Sequence, residues 1–387
     1  MHARILTVLA LAGTATGLLA AAPAGAAPAA FEPDRAFGAG GSVLVRQYYG
    51  QWGGVGAAVR ATGQGVTAVR GTTLVHVRGR SVTRRRCAGF GSDEPWVTAT
   101  GGIRGLRGLT LHARDARCRP DRSTAGPSGT RRLFRNTPGR TSATGGPDGI
   151  VSERWLLEGS PGYPGSRLSR FDTRGRAMGD GFSVSGILFG RAAGPQGSVL
   201  VATGPLSTRA PLTVRRYSPS GALDRTFAPD PIVPEADPWP VRMTPLPNGL
   251  VGVTVGQQGA YLLGRDGRPL GDGWSPADPA IIESTGRWLW DGRRFVYRIG
   301  LGFSRSGVWS VRAHRCRIDG SACGDVAVTG LAPTPRRPIL SLDAAAFDRA
   351  GRLLLVMTRQ RPGAEAFDRD DLAVVSEGTY VLRLRPR

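Results

Sequence analysis

A single all-β propeller of seven four-stranded blades is the fold this sequence predicts, and three observations predict it. The 387 residues include 57 Gly and 29 Pro, with 40% hydrophobic and 21% charged. That supplies a core but cuts the chain into short segments, which excludes long helices and coiled coils. Three turn segments recur: RFDTRGRAMGDGF (170–182), RYSPSGALDRTF (216–227) and LLGRDGRPLGDGW (262–274) place Gly175, Gly221 and Gly267 each 46 residues apart. An apolar strand introduced by Gly recurs between them, at Gly149–Gly159, Gly197–Gly204, Gly249–Gly256, Gly286–Val296 and Gly351–Met357, with weaker versions around Gly65–Val77 and Val97–Leu111. Seven such units give about 52 residues each, the length of a four-stranded blade with its loops.

Taken from the N-terminus, residues 1–26 read as a secretory signal peptide. Arg4 precedes an apolar run from Ile5 to Ala22, and the small residues Ala24, Gly25 and Ala26 set a cleavage site after Ala26. Gly13 and Gly17 dilute the run and Pro23 closes it, and no later apolar stretch approaches the roughly 20 residues of a membrane helix. The expectation is a secreted, extracellular, monomeric protein with no membrane span. Its propeller would occupy 27–387, with divergent Arg-rich blades over 70–140.

Each repeated turn ends a short strand with polar residues and a Gly, the residue that tolerates positive φ. The segment RYSPSGALDRTF, and the Gly-led strands that follow Pro195-Gln196 and Pro247-Asn248, resemble the delta-60 repeat of bacterial secreted β-propellers. Leu223, Asp224, Thr226 and Phe227 match its motif, and Pro33, Asp34, Phe37 and Gly38 match in part. The resemblance implies a propeller and no defined activity. The chain ends agree with it: Phe31–Gly38 corresponds to the second half of the unit at Ala222–Ala228, and Tyr380–Pro386 to its first half at Leu212–Pro219. Strands from both termini are therefore expected to pair in one blade and close the ring.

Four cysteines follow the leader. Separations of 31 (Cys87, Cys118) and 7 (Cys316, Cys323) in an oxidising compartment predict these two local disulfides. No Cys-x-x-Cys is present, and His76, His112 and His314 lack ligand spacing, so neither a metal nor a cofactor is expected.

The formal charge is +22, and all 51 basic residues are Arg. Codon bias toward Arg and selection for anion binding both account for this. Between Arg70 and Arg140 stand 16 Arg against Asp93, Glu94, Asp115 and Asp121. Arg78, Arg80, Arg84, Arg85, Arg86, Arg117 and Arg119 are the candidate binding residues, drawn together by the first disulfide into a surface for an anionic envelope polymer or polysaccharide. Few aromatics interleave with them, which argues against single-stranded nucleic acid. The recurring Asp34, Asp180, Asp224, Asp272 and Asp319 read as turn residues rather than a catalytic pair, and no nucleophile elbow, Walker loop or zinc-protease motif occurs. No catalytic residue is nominated. The expected function is a non-catalytic binding or scaffold module at the cell envelope; the alternative is a polysaccharide hydrolase or lyase at the propeller mouth.

Overall fold

The computed structural model describes residues 30–49, 56–90, 92, 94–133, 141–156, 165–205, 211–233, 241–256, 259–270, 283–303, 309–329, 331, 339–360 and 376–387. The expected signal peptide lies outside them, as do Asp93, Asp272 and Arg140.

Short apolar segments between Gly- and Asp-led turns fold as antiparallel strands. β1 (Ala30–Pro33) and β2 (Ser42–Tyr49) open the chain. Five separate meanders follow. The first holds β3 (Ala57–Thr62), β4 (Gly65–Arg70), β5 (Thr73–Arg78) and β6 (Ser81–Arg86); the second β7 (Glu94–Val97), β8 (Ile103–Arg107), β9 (Thr110–Arg114) and β10 (Thr130–Arg132). The third holds β11 (Thr141–Gly146), β12 (Gly149–Leu156), β13 (Gly165–Phe171) and β14 (Phe182–Val184). Two three-stranded sheets come next: β15 (Ile187–Ala193), β16 (Val199–Gly204) and β17 (Thr213–Tyr217), then β18 (Val241–Pro245), β19 (Val251–Val255) and β20 (Gly259–Leu263).

The chain finishes with β21 (Glu283–Trp290), β22 (Phe295–Phe303), β23 (Trp309–Arg317), β24 (Gly324–Val328), β25 (Ile339–Phe347), β26 (Leu353–Gln360) and β27 (Ser376–Pro386). With β1 and β2 these form one nine-stranded sheet, ordered β21-β22-β23-β24-β1-β27-β26-β25, with β2 also on β27. First strands lie side by side (β25 with β3, β3 with β7, β7 with β11, β11 with β15, β15 with β18, β21 with β25). This is a β-propeller arrangement.

Seven separate four-stranded blades are not what the sheets form. Among the described residues five sheets stand alone, because β1 runs parallel to β24 (Phe31↔Val328) and antiparallel to β27 (Phe31↔Pro386) and so fuses the last strands into one sheet. Among the described residues no fourth strand follows β17 in the β15–β17 sheet, and the segment after it shows a local reason. Pro229 and Pro231 remove two ladder donors from the following segment, which keeps a single bridge, Leu212↔Ile232.

The core lies between sheets rather than beneath one. Val69, Leu74, Phe90 and Ile103 fill the space between the first two meanders, and Trp96, Leu111, Ile150 and Phe171 the next. Strands β16 and β19 are therefore buried on both faces, in keeping with sequences that are apolar apart from Thr203 and Thr254. Phe31, Tyr297, Leu301, Leu353 and Leu384 form one cluster, so the two halves of the nine-stranded sheet pack against each other across the bend at β1. At the chain ends β27 pairs with β2 (Val43↔Val381, Leu44↔Tyr380) on one side and with β26 on the other.

Candidate functional site

The repeated turns place the polar groups. In each, the strand's closing residue and the residue four later exchange a backbone bond: Asp172 N–H to Arg176 O, Ser218 N–H to Ala222 O, Gly264 N–H to Arg268 O and Arg317 N–H to Ser321 O. Gly175, Gly221, Gly267 and Gly320 occupy one position with φ of 71°, 87°, 88° and 81°. The turn after β9 is the same, Asp115 N–H to Arg119 O, but Cys118 sits at the glycine position with φ 65°. The repeat thus continues into the segment where the sequence pattern fades.

A second recurrence follows the turn at Gly221 and reappears near the N-terminus. Asp224 accepts the Thr226 amide at 3.0 Å and the Arg216 Nε–H at 2.7 Å, with Arg216 lying 4.7 Å over the Phe227 ring. Asp34 accepts the Ala36 amide at 3.0 Å and the Arg383 Nε–H at 2.8 Å, with Arg383 lying 4.7 Å over the Phe37 ring. One Arg-Asp-Phe unit is local; the other is assembled from the two ends of the chain. The recurring aspartates do not all share one position. Asp34 and Asp224 share a position, Asp319 instead corresponds to Asp266 inside the turn, and Asp180 contributes only a backbone oxygen, to Arg167.

The candidate arginines occupy an outer edge. β6 is the last strand of its sheet, Arg78 and Arg80 flank its tight turn, and Arg84, Arg85 and Arg86 are exposed along it. Strand alternation splits the triplet. Arg85 stands opposite Leu74 and Arg84 opposite Val75, and these two apolar residues belong to different inter-sheet clusters. Arg84 turns toward β2 and donates from Nε and Nη2 to Leu44 O at 2.9 and 2.8 Å, a structural role. Arg85 shares its face with Cys87, whose disulfide to Cys118 brings in the exposed Arg117 and Arg119. Cys316 and Cys323 form the second bridge.

The Arg-rich segment is therefore not one continuous surface, because two of its arginines are interior struts. Arg114 is 6% exposed and donates to the carbonyls of Ala113, Ser128, Gly129 and Ala88, with burial lowering its guanidinium pKa. Arg104 binds Thr173 O and Thr124 Oγ1. Among the described residues, the guanidinium groups of Arg78, Arg80, Arg85, Arg86, Arg117 and Arg119 form no ion pair with a carboxylate.

A second cationic feature was not foreseen from the sequence. Turns β3–β4, β21–β22 and β25–β26 converge on a cavity of about 650 Å³ that Arg60, Arg293, Arg349, Arg352 and Arg383 line together with Trp290 and Phe347. Its carboxylates, Asp291 and Asp348, are occupied by the turns that hold them. Asp291 Oδ1 accepts the amides of Arg293 and Phe295, and Asp348 Oδ1 those of Ala350 and Arg352. Elsewhere His314, Cys316 and Cys323 bring donor atoms within 4.8 Å of one another, but both sulfurs belong to the disulfide and His314 Nδ1 meets Asp325 at 2.9 Å.

The chain matches no protein-family model and no curated protein. Among solved structures it is similar to YCF48 bound to D1 peptide, at 11% identity and a TM-score of 0.45 over 94% of this chain and 98% of that one. It is also similar to BBS1N in complex with ARL6DN (10%, TM-score 0.46, 87% of this chain and 96% of that one). A Mycobacterium tuberculosis puromycin-hydrolyzing peptidase follows at 13% and a TM-score of 0.43, over 84% of this chain and 53% of that one. Likenesses this distant assign no function.

Proposed function

We propose that this chain is a secreted, non-catalytic binding module, a monomeric propeller ring closed by its own termini, whose outer basic edge docks an anionic polymer of the cell envelope. The observation that carries the reading is the set of exposed guanidinium groups on β6 and the tethered 115–119 turn, none of which meets a carboxylate among the described residues. Unpaired guanidinium groups grip phosphate or carboxylate bidentately, and a rigid strand with a disulfide-held turn presents them at little ordering cost. Two disulfides are compatible with an oxidising compartment, and no described helix is long and apolar enough to cross a membrane.

The test is retention on an immobilised polyphosphate-type or polyuronate envelope fraction across a salt series. Replacing Arg85, Arg86, Arg117 and Arg119 with Ser, and sparing Arg84 because it braces β2, should weaken retention at low salt. Unchanged retention, or retention insensitive to salt, would refute the docking role.

A further inference from the structure

We propose that the cavity between the β3–β4, β21–β22 and β25–β26 turns is a second, separate site that takes an acidic sugar, a uronate ring whose carboxylate meets the arginines and whose apolar ring face meets the aromatics. It does not depend on the outer edge, which lies on β6 and the 115–119 turn.

Charge is the first argument. Five guanidinium groups line the cavity against Asp291 and Asp348, and Asp34 behind Arg383 is the third carboxylate in contact with them. These acids are already engaged. Asp348 Oδ2 accepts Arg352 Nε–H at 2.6 Å, and Asp34 Oδ2 takes Arg383 at 2.8 Å with Arg352 at 3.7 Å. Two arginines remain open. Arg60 donates from Nη1 to Val97 O at 3.3 Å and lies in the field of the Asp148 carboxylate, while Arg293 and Arg349 are exposed and form no ion pair among the described residues. The three lie on strand β3 and on the β21–β22 and β25–β26 turns, so their convergence is a product of the fold.

Shape and lining are the second argument. A volume of about 650 Å³ falls in the range of small-ligand sites, roughly 300–1,000 Å³, and exceeds what a single inorganic anion fills. Trp290 and Phe347 are half-buried in the wall and offer flat apolar surface beside the cations. Phe347 is steadied by Tyr297, 4.8 Å away between ring centres. Cations beside fixed aromatic rings suit a ring that carries a carboxylate better than a bare phosphate.

Calorimetric titration of the full chain with digalacturonate, with the neutral disaccharide galactobiose and with inorganic phosphate tests this. Saturable one-to-one binding of digalacturonate, with no binding of galactobiose and no competition by phosphate, is expected. The exposed turn variant R293Q/R349Q should lose about tenfold in affinity while keeping its circular dichroism and urea midpoint, and W290F should weaken binding without abolishing it. Absence of saturable digalacturonate binding, equal binding of galactobiose, effective competition by phosphate, or an unaffected R293Q/R349Q variant would each overturn the assignment.

Discussion

Replacing Asp34 with Ala should destabilise the protein more than the same change at Asp224, although the two aspartates share an amide cap and an arginine partner; Asp34 also meets Arg352, and Asp224 the Thr226 hydroxyl. Both cap an amide two residues on and both hold an arginine that lies over a phenylalanine. Burial separates them. The side chains of the Arg383–Asp34 pair are 11% and 11% exposed, against 17% and 31% for Arg216–Asp224. Removing one partner of a buried pair leaves the other charge uncompensated and costs about 3–5 kcal/mol. A half-exposed pair contributes about 1 kcal/mol at most, and the lost amide bond adds about 1 kcal/mol in each case. D224A should thus cost about 2 kcal/mol and D34A at least twice that. Urea unfolding of both variants, followed by intrinsic fluorescence, measures the difference. The double variant D34L/R383M should recover most of the loss, since two matched apolar residues remove the stranded charge. A D34A cost equal to or below that of D224A would refute the reasoning.

Other outcomes follow from the same geometry. In a C87A background, C118G should be more stable than C118A by about 1 kcal/mol, because only glycine adopts the left-handed φ of that turn without penalty; equal stabilities in thermal melts would count against it. Deleting Tyr380–Arg387 strips β26 and β2 of most of their shared partner and should give aggregated protein on size-exclusion chromatography, whereas a soluble, cooperatively melting product would contradict the pairing. Acid should destabilise the turns. The Asp224 carboxyl is held below its usual value by the Thr226 hydroxyl and Arg216, and Asp319 by the Ser321 hydroxyl and amide; at Asp172 burial pushes upward, but the Arg176 amide and guanidinium outweigh it. Lowered carboxylates stabilise the fold above the unfolded value, about 3.9, and lose that contribution as the pH falls through their folded values. Melting temperature should therefore hold from neutral pH to about 5 and drop below about 4; a melt flat through that window would show these bonds to be immaterial.

How much of this the sequence discloses depends on whether a feature is local. The turn glycines are legible because positive φ selects one residue type at one position, and Gly175, Gly221 and Gly267 do share it. Cys118 hides the next copy, since a disulfide supplies by covalent constraint what glycine supplies by freedom. Phe31–Gly38 was recognisable as half a unit from Asp34 and Phe37 alone, and Arg383 completes it. The separateness of the sheets was not legible, because it turns on a two-residue parallel contact between β1 and β24 that no periodicity encodes. Nor did the run of three arginines reveal that Arg84 is a brace, which depends on where Leu44 falls. The cavity arginines gave no signal at all: Arg60 lies on strand β3 and Arg293 and Arg349 in two separate turns far from it in the chain, and only the fold brings them together.

The Arg-Asp-Phe unit shared by the two termini also dictates when folding can finish. Its central bond joins residues 349 positions apart, and closing a loop of that length costs about 5 kcal/mol of chain entropy before any contact compensates for it. Every intervening meander can form from neighbours in sequence as it is synthesised. β1 and β2 cannot, because the strand they need, β27, follows all the meanders in the sequence. β1 and β2 therefore wait through the synthesis of every intervening strand without this partner, and the rate at which β27 arrives sets how long they are exposed to mispairing.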